Sequence, residues 1–206
     1  MAGQTLGNLA ISMGNHTPTD LKRAKGWQGQ LIEQYLGATA STLAAPDFME
    51  LGIELKTLPL DRSGKPKEST YVCTVPLDNL ADIHWETSWL RAKLSHVLWV
   101  PIEADADIPL ASRTIGTAIL WRPSQHQEQA LRQDWEELMD MVCLGQLEKI
   151  TSHHGRYLQI RPKAANARAL CPATDMDGNR IMTLPRGFYL RPAFTHQILA
   201  EHYALD

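Results

Sequence analysis

The segment PDFMELGIELKT, residues 46–57, constrains the fold of this chain more than any other. Side chains alternate across a β-strand, so Glu54 and Lys56 project from one face while Leu55 points to the other. The apolar side chains of this strand can anchor in a core, which leaves the charged pair together on the opposite face. The residues between Asp47 and the strand are enough for the chain to turn and bring Asp47 beside Glu54. The segment therefore predicts a half-buried strand that carries two acids and a base in one place.

This grouping of charges favours a metal site. Two carboxylates that meet on one face repel each other unless a cation lies between them. Oxygen ligands suit Mg²⁺, which is commonly held by one or two carboxylates plus phosphate. Lys56 can orient or deprotonate an attacking water, or stabilise the charge that develops on phosphorus. These are the groups needed for metal-assisted hydrolysis of a phosphodiester.

The alternative is that Asp47, Glu54 and Lys56 are ordinary exposed residues on an edge strand. A bare D-x6-E-x-K spacing occurs often by chance and by itself favours this alternative. Three features favour the metal site. The acids lie in an apolar strand, Pro46 precedes the aspartate, and Glu33 on a preceding helix offers a third carboxylate.

The composition indicates a globular protein of 206 residues, a length that suits one domain or two closely packed lobes. The apolar fraction is 44%, the charged fraction is 21% and the net charge is −3. An acidic chain does not by itself indicate a nucleic-acid partner. However, residues 156–191 carry seven basic side chains against two acids, so one region is locally cationic.

We expect a cytoplasmic location without membrane attachment. The three cysteines are far apart and form no CxxC pair, which fits a reducing compartment. The start of the chain lacks the pattern of a signal peptide, and no apolar stretch approaches the ~20 residues needed to span a bilayer.

Hydrophobic periodicity and turn residues predict a mixed α/β architecture. The polar run DRSGKPKE should form a turn from which the chain returns as the next strand, and a loop and helix should separate the last two strands. The acidic run DWEELMD is expected to be a solvated helix face. We expect helices at 5–13, 18–25, 29–36, 87–94, 125–147 and 194–203, and strands at 53–60, 69–75, 96–102, 114–121, 157–160 and 181–190.

Six longer segments resemble the MutH family of DNA mismatch-repair endonucleases, within the PD-(D/E)xK nuclease superfamily that includes many restriction enzymes. They are spread over nearly the whole chain and read KGWQGQLIEQYLGA, DFMELGIELKTLPLD, HWETSWLRAKLSHVLWVPIE, DWEELMDMVCLGQLEKIT, YLQIRPKAANARAL and TLPRGFYL. The resemblance implies a restriction-endonuclease-like fold, with a mixed sheet, flanking helices and two lobes around a DNA cleft. It also implies that residues 1–206 form a single domain of this type.

The resemblance further implies an activity. The family nicks the unmethylated strand of hemimethylated GATC sites on the 5′ side of the G, in methyl-directed mismatch repair. It requires Mg²⁺, expected here as two ions, with Mn²⁺ or Ca²⁺ able to substitute in binding. The implied partners are double-stranded DNA, the activating ATPase MutL and, indirectly, the mismatch sensor MutS. We expect a monomer.

Residue roles carried over from the family fall into three groups. The implied metal-binding residues are Asp47, Glu54 and Leu55. The implied catalytic residues are Asp47, Glu54, Lys56, Glu33 and Lys93. The implied DNA-binding residues are Lys25, Gly26, Arg161, Pro162, Lys163, Arg186 and Tyr189.

Within the DNA-binding group, Arg161 and Lys163 are assigned to base reading in the major groove, where a guanidinium pairs with guanine O6 and N7. The alternatives are a surface arginine and a phosphate clamp. Tyr189 is placed near the adenine amino group, and its alternative is an ordinary strand aromatic. Gly26 is also compatible with the C-cap of a preceding helix.

Two other function classes remain open from the residues alone. One is a catalytically idle GATC-binding module, against which the intact Asp47, Glu54 and Lys56 set argues. The other is a restriction endonuclease that makes double-strand breaks as a dimer.

Overall fold

The computed structural model describes residues 1–19, 26–38, 45–164, 166 and 168–203. The chain divides into two compact units. The first comprises Met1–Glu68, Ser95–Arg122 and His196–Asp206, and the second comprises Ser69–Leu94 and Pro123–Thr195. Within the described ranges, no helix is long and apolar enough to cross a membrane.

Helices and strands alternate irregularly along the chain, as expected for a mixed α/β protein. The helices are α1 (Leu6–Ser12), α2 (Trp27–Leu36), α3 (Trp89–Leu94), α4 (Gln125–Cys143) and α5 (Pro192–Tyr203). The strands are β1 (Glu54–Leu60), β2 (Thr70–Thr74), β3 (Val97–Glu103), β4 (Ile119–Trp121), β5 (Leu158–Pro162), β6 (Cys171–Thr174), β7 (Arg180–Thr183) and β8 (Arg186–Leu190).

The first unit is built on a mixed sheet of order β1-β3-β4. Strand β1 runs parallel to β3, and β4 runs antiparallel to β3. One face of this sheet carries Leu55, Val100 and Ile102, which pack with the buried residues of α1 and α2 in one hydrophobic cluster. Because side chains alternate along β1, Glu54 and Lys56 project from the opposite face. The core therefore fixes β1 from one side and leaves its charged pair on the other.

The two helices over this core match the predicted ones except at their ends: α1 lies within the range expected at 5–13, and α2 begins two residues before the helix expected at 29–36. The Thr5 side chain accepts a hydrogen bond from the Asn8 amide at 3.2 Å, which caps α1. Helix α2 ends at Gly37, whose left-handed φ of 75° allows its amide to bond back to the last turn. Leu31 and Ile32 of α2 are buried against the sheet.

The second unit contains an antiparallel sheet of order β2-β8-β5. In the register of this sheet, Tyr189 on the central strand lies between Tyr71 and Gln159, and Gly187 lies opposite Arg161. Phe188, with the other even-numbered residues of β8, is buried, so the odd-numbered residues line the other, more polar face.

Helix α4 packs with the apolar stripe that the sequence predicts. Leu131, Trp135, Leu138 and Val142 are all buried. Ser124 and Gln127 form a capping box at its start, with each side chain bonded to the other residue's backbone.

The expectation that DWEELMD is a solvated helix face is wrong at Asp134, which is 6% exposed. Its carboxylate accepts hydrogen bonds from the amides of Arg156, Tyr157 and Leu158 at 2.8, 2.6 and 2.8 Å. A buried carboxylate is tolerated when its oxygens are paired in this way. Asp134 thus anchors the start of β5.

The predicted hairpin between the strands at 53–60 and 69–75 is wrong. Strand β2 pairs with β8, in the other unit's sheet. The polar run DRSGKPKE instead folds on itself: the Asp61 carboxylate accepts the amides of Ser63 and Lys65, and Leu60 bridges to Pro66. The Ser63 hydroxyl also donates to the Asp61 carboxylate, and this bond, together with the amide bonds from Lys65 and Ser63, holds the pKa of Asp61 below its usual value.

The expected loop and helix before the last strand are also wrong for the described residues. The chain there forms an antiparallel hairpin of β6 and β7, and the single strand expected at 181–190 is split into β7 and β8. The strand expected at 114–121 is reduced to β4, and the helix expected at 125–147 ends at Cys143. The helix expected at 18–25 falls largely outside the described residues, which omit 20–25.

Candidate active site and nucleic-acid surface

Asp47 is brought to β1 by a tight turn. Phe48 and Ile53 exchange backbone hydrogen bonds of 2.9 and 3.3 Å, and Gly52 supplies the left-handed φ of 62° within the turn. The Asp47 Oδ2 atom then accepts the Leu55 amide at 2.7 Å. The turn inferred from the sequence therefore places this carboxylate against the strand residue that follows Glu54.

Glu54 and Lys56 form an ion pair on the charged face of β1. The Lys56 Nζ atom lies 2.6 Å from Glu54 Oε1, and the two side chains are 16% and 4% exposed. Charges this far removed from water are costly unless they are paired. Each group therefore holds the other in a fixed position next to the Asp47 turn.

Leu55 can offer only its backbone oxygen to a metal, because its side chain is apolar and buried. The Glu54 amide donates to the His96 carbonyl just before β3, whereas the Leu55 amide points to Asp47. In an extended strand the N–H and C=O of one residue point to the same side, so the Leu55 carbonyl faces the side of Asp47. The oxygen donors available here are of the type that Mg²⁺ prefers.

Glu33 lies half-buried on α2, with its Oε1 atom 3.7 Å from where a Cβ at Gly29 would be. Helix α2 packs on the Leu55 face of β1, opposite the face that carries Glu54 and Lys56. In the described ranges, no three or more His, Cys, Asp or Glu side chains are arranged to hold a metal. The structure thus does not assemble Glu33 into a three-carboxylate group, and its catalytic role stays a prediction.

Lys93 belongs to the second unit, whereas Asp47, Glu54 and Lys56 belong to the first. It lies in α3 with its Nζ atom 5.2 Å from the centre of the Trp89 ring, a cation–π contact. Its role as a second active-site lysine stays a prediction.

The residues assigned to DNA reading include a compact group on the polar face of the β2-β8-β5 sheet. The Arg161 guanidinium carbon lies 5.7 Å from the centre of the Tyr189 ring. The Lys163 Nζ atom lies 4.7 Å from the centre of the Tyr71 ring, and the two tyrosine rings meet edge to face at 5.4 Å. Two cations and two aromatic rings therefore form one patch, which we call the reading patch: Tyr71, Arg161, Lys163, Gly187 and Tyr189.

Pro162 and Arg186 are opposite each other in the β5–β8 ladder. Arg186 is buried and donates to Glu148 Oε1 at 2.6 Å. It alternates with Gly187 along β8, so it points away from the reading patch. Arg186 is thus not brought together with Arg161 and Tyr189, although the sequence groups them.

Lys25 lies outside the described residues. Gly26 is described and has a left-handed φ of 84°. It stands directly before α2 as its N-cap, not after a described helix, so the alternative of a C-cap has no described helix to end.

With this geometry established, comparison with known proteins identifies close relatives. The family model described as DNA mismatch repair enzyme MutH matches residues 36–134, a range that contains Asp47, Glu54, Lys56 and Lys93. The DNA mismatch repair protein MutH of Salmonella typhi is 55% identical over 206 residues, covering 100% of this chain and 89% of the relative. Proteins of the same name from Escherichia coli O127:H6 and strain K12 are 54% and 53% identical, each covering 100% of this chain and 90% of the relative.

The chain belongs to the MutH family. Membership makes it a DNA mismatch repair enzyme and confirms the family that the sequence motifs indicate. The mixed sheet with flanking helices likewise confirms the α/β, restriction-endonuclease-like class.

Two members of the reading patch were missed by sequence reasoning for this MutH-family chain. Tyr71 and Gly187 fall within the strands expected at 69–75 and 181–190, and the sequence indicates no further role for either. Strand alternation places Gly187 on the same face as Tyr189, so that position was available from the sequence. Tyr71 was not, because its contact depends on the β2–β8 pairing.

Proposed function

We propose that this MutH-family chain is a Mg²⁺-dependent endonuclease that nicks the unmethylated strand of hemimethylated GATC sites on the 5′ side of the G. The observation that carries the proposal is the 2.7 Å hydrogen bond between Asp47 Oδ2 and the Leu55 amide. It brings a carboxylate to the strand that presents the Glu54–Lys56 pair. Without this bond the three residues would be only a spacing that occurs by chance.

The residues that would hold Mg²⁺ are Asp47, Glu54 and the backbone carbonyl of Leu55. All three offer oxygen, which is the donor type that suits a hard divalent cation. When bound, such an ion polarises the phosphoryl oxygens and lowers the pKa of water. We propose that the site binds two ions and that Mn²⁺ or Ca²⁺ can replace Mg²⁺ in binding.

Lys56 supplies a positive charge at a fixed place beside the carboxylates. Its ammonium donates to Glu54 Oε1 at 2.6 Å, so the side chain is held in a single direction on this face. A preorganised cation aimed at developing negative charge is an effective way to lower a barrier. We assign Lys56 to stabilising charge on the phosphoryl oxygens and orienting the attacking water, with Glu33 and Lys93 as further catalytic residues.

The reading patch supports the assignment of sequence recognition. Arg161 carries the guanidinium suited to bidentate bonding with guanine O6 and N7. Lys163 offers an ammonium for a base edge or a phosphate. Tyr189 presents a bulky ring beside Arg161, which suits contact with the adenine of GATC. N6-methylation adds apolar bulk at that adenine, and a ring held nearby excludes it by clash.

The remaining DNA contacts are assigned by the family motifs. Lys25 and Gly26 are proposed as a second set of DNA contacts, and Pro162, the last residue of β5, lies between the two proposed base-reading residues Arg161 and Lys163. Arg186 is assigned a supporting role, since its buried guanidinium is paired with Glu148. The proposed partners are MutL, which activates the nick in the presence of ATP, and MutS, which acts through MutL.

Plasmid nicking tests the whole proposal. Supercoiled plasmids carrying unmethylated, hemimethylated or fully methylated GATC sites are incubated with the protein, with Mg²⁺ or with excess EDTA. We expect nicked circles from the first two plasmids, much slower nicking of the third, and none under EDTA until Mg²⁺ is restored. Addition of MutL and ATP should increase the rate.

Three results would contradict the proposal. Binding without any nicking under all conditions would indicate a DNA-binding module. Linear product formed in a single binding event would indicate a double-strand endonuclease. Equal activity of the Lys56→Ala variant, at equal DNA binding, would remove the assigned active site.

A further inference from the structure

Gly187 occupies the central strand of the β2-β8-β5 sheet, with neighbours on both sides. It lies opposite Thr74 of β2 and Arg161 of β5. A glycine inside a strand weakens it and often marks a place where another group approaches closely. Its φ does not lie in the left-handed region, so backbone conformation does not require a glycine here.

Two aromatic rings fill the space that a side chain would need. A Cβ at Gly187 would lie 2.9 Å from Tyr71 Cε2 and 3.1 Å from Tyr189 Cε2. Carbon atoms at such separations repel, since favourable contact needs about 3.5–4.0 Å. Both tyrosine rings therefore pack directly over the backbone of Gly187.

The rings cannot easily move aside to admit a side chain. The Tyr71 hydroxyl is hydrogen-bonded to Thr74 Oγ1 at 3.1 Å, and Lys163 lies over the Tyr71 ring at 4.7 Å. Tyr71 in turn meets Tyr189 edge to face, with ring centres 5.4 Å apart and planes inclined by 64°. The guanidinium carbon of Arg161 lies 5.7 Å from the centre of the Tyr189 ring. A shift of Tyr71 is thus passed to Tyr189 and to both cations of the reading patch.

We propose that Gly187 is a specificity-determining positioning residue: it seats Tyr71 and Tyr189 together and so fixes the Tyr189 ring where it detects adenine N6-methylation. This inference rests on the proposed function, in which Tyr189 reads the methyl group. A side chain at Gly187 lifts the Tyr189 ring from the strand and alters methyl discrimination, while the catalytic residues of the first unit are unchanged.

The test compares nicking rates on unmethylated and fully methylated GATC plasmids with Mg²⁺. The ratio of the two rates is measured on one preparation, so the fraction of folded protein cancels. The proteins are the wild type, Gly187→Ala, Tyr189→Ser and a control, Gly116→Ala. At Gly116 a Cβ would meet Pro101 at 3.1 Å, a similarly tight site in the first unit.

For Gly187→Ala we expect the ratio to fall about 10-fold or more, within the range that a small steric group in a binding pocket decides. Tyr189→Ser should show a similar fall, and Gly116→Ala should keep the wild-type ratio. If Gly187→Ala does not fold, Tyr71→Leu replaces it, because removing that ring also frees Tyr189. The same fall is then expected.

Failure of the inference is distinct from failure of the proposed function. If the wild type discriminates and Tyr189→Ser does not, but Gly187→Ala, or Tyr71→Leu in its place, behaves as the wild type, the inference alone is overturned. A fall in Gly187→Ala without one in Tyr189→Ser also overturns it, as does an equal fall in Gly116→Ala. If the wild type itself nicks both plasmids equally, the proposed methylation reading fails and the inference fails with it.

Discussion

Replacement of Asp134 by alanine should destabilise the protein far more than its place in an acidic helical run suggests. The carboxylate accepts three backbone amides at the start of β5, and two of these bonds, from Tyr157 and Leu158, are buried. Hydrogen bonds to a charged group contribute about 1.5–3 kcal/mol each. Counting only the buried two, because water can replace the third, the loss is about 3–6 kcal/mol.

Thermal unfolding measures this loss. For a chain of this size each kcal/mol lowers Tm by about 2–4 °C, so the Asp134→Ala variant should unfold roughly 6–24 °C below the wild type. Tryptophan fluorescence is a suitable probe, because Trp135 is buried next to Asp134 and packs edge to face on Trp85 at 5.9 Å. Asp134→Asn keeps one acceptor oxygen and should lie between the two proteins.

Glu137→Ala on the same helix is the matched control. Its carboxylate accepts a single exposed amide, from Gly155 at 3.0 Å. Because water can replace an exposed bond, its loss should cost no more than about 1 kcal/mol. If Asp134→Ala lowers Tm no more than Glu137→Ala does, the anchoring role is refuted. If it lowers Tm as expected, weaker GATC binding should accompany it, because β5 carries Arg161.

Three further predictions concern the two sites and one histidine. Asp47→Ala and Glu54→Ala should abolish nicking yet leave DNA binding in gel-shift assays largely intact, because binding depends mainly on phosphate contacts; near-normal nicking by Glu54→Ala would contradict the metal site. Arg161→Ala should cost roughly 1–3 kcal/mol of discrimination between GATC and other duplexes; equal losses on both would make it a phosphate contact. The pKa of His96 lies below its usual value because of burial and the nearby positive charge of Arg122. The folded state therefore resists protonation of His96, so the contribution of this residue to the free energy of unfolding is fully present above about pH 6.5 and is lost as the pH drops toward the lowered pKa. The His96→Gln variant should lose less stability over this pH range than the wild type in unfolding measurements. The same loss in both proteins would contradict the prediction.

The elements that the sequence predicts well are those whose pattern is local. Strand β1 follows from alternation, and α2 and most of α4 follow from helical periodicity. The Asp47 contact also follows, because the turn after Phe48 is short and contains Gly52. Local chemistry is sufficient in each of these cases.

Strand pairing was not predictable in the same way. A polar run with Ser63 and Gly64 between two strands favours a hairpin, yet β2 pairs with β8, more than a hundred positions later in the chain. Such a pairing depends on which apolar faces are buried together, and the local pattern of residues in either strand does not reveal its partner. The Tyr71–Tyr189 contact was missed for this reason, and the buried state of Asp134 was missed because its partners are amides of a distant segment.

The division of the chain into two units has a consequence for how the protein can be cut and how it folds. The chain passes from one unit to the other at four places, after residues 68, 94, 122 and 195. No single cleavage therefore yields one complete unit, and a fragment that ends at Arg122 would contain the nuclease strand without the closing segment His196–Asp206 of its own unit. Contacts between such distant segments slow folding, because long loops must close before the contacts form. Neither unit has all of its segments before residue 195, so a ribosome must make most of the chain before either unit can be completed.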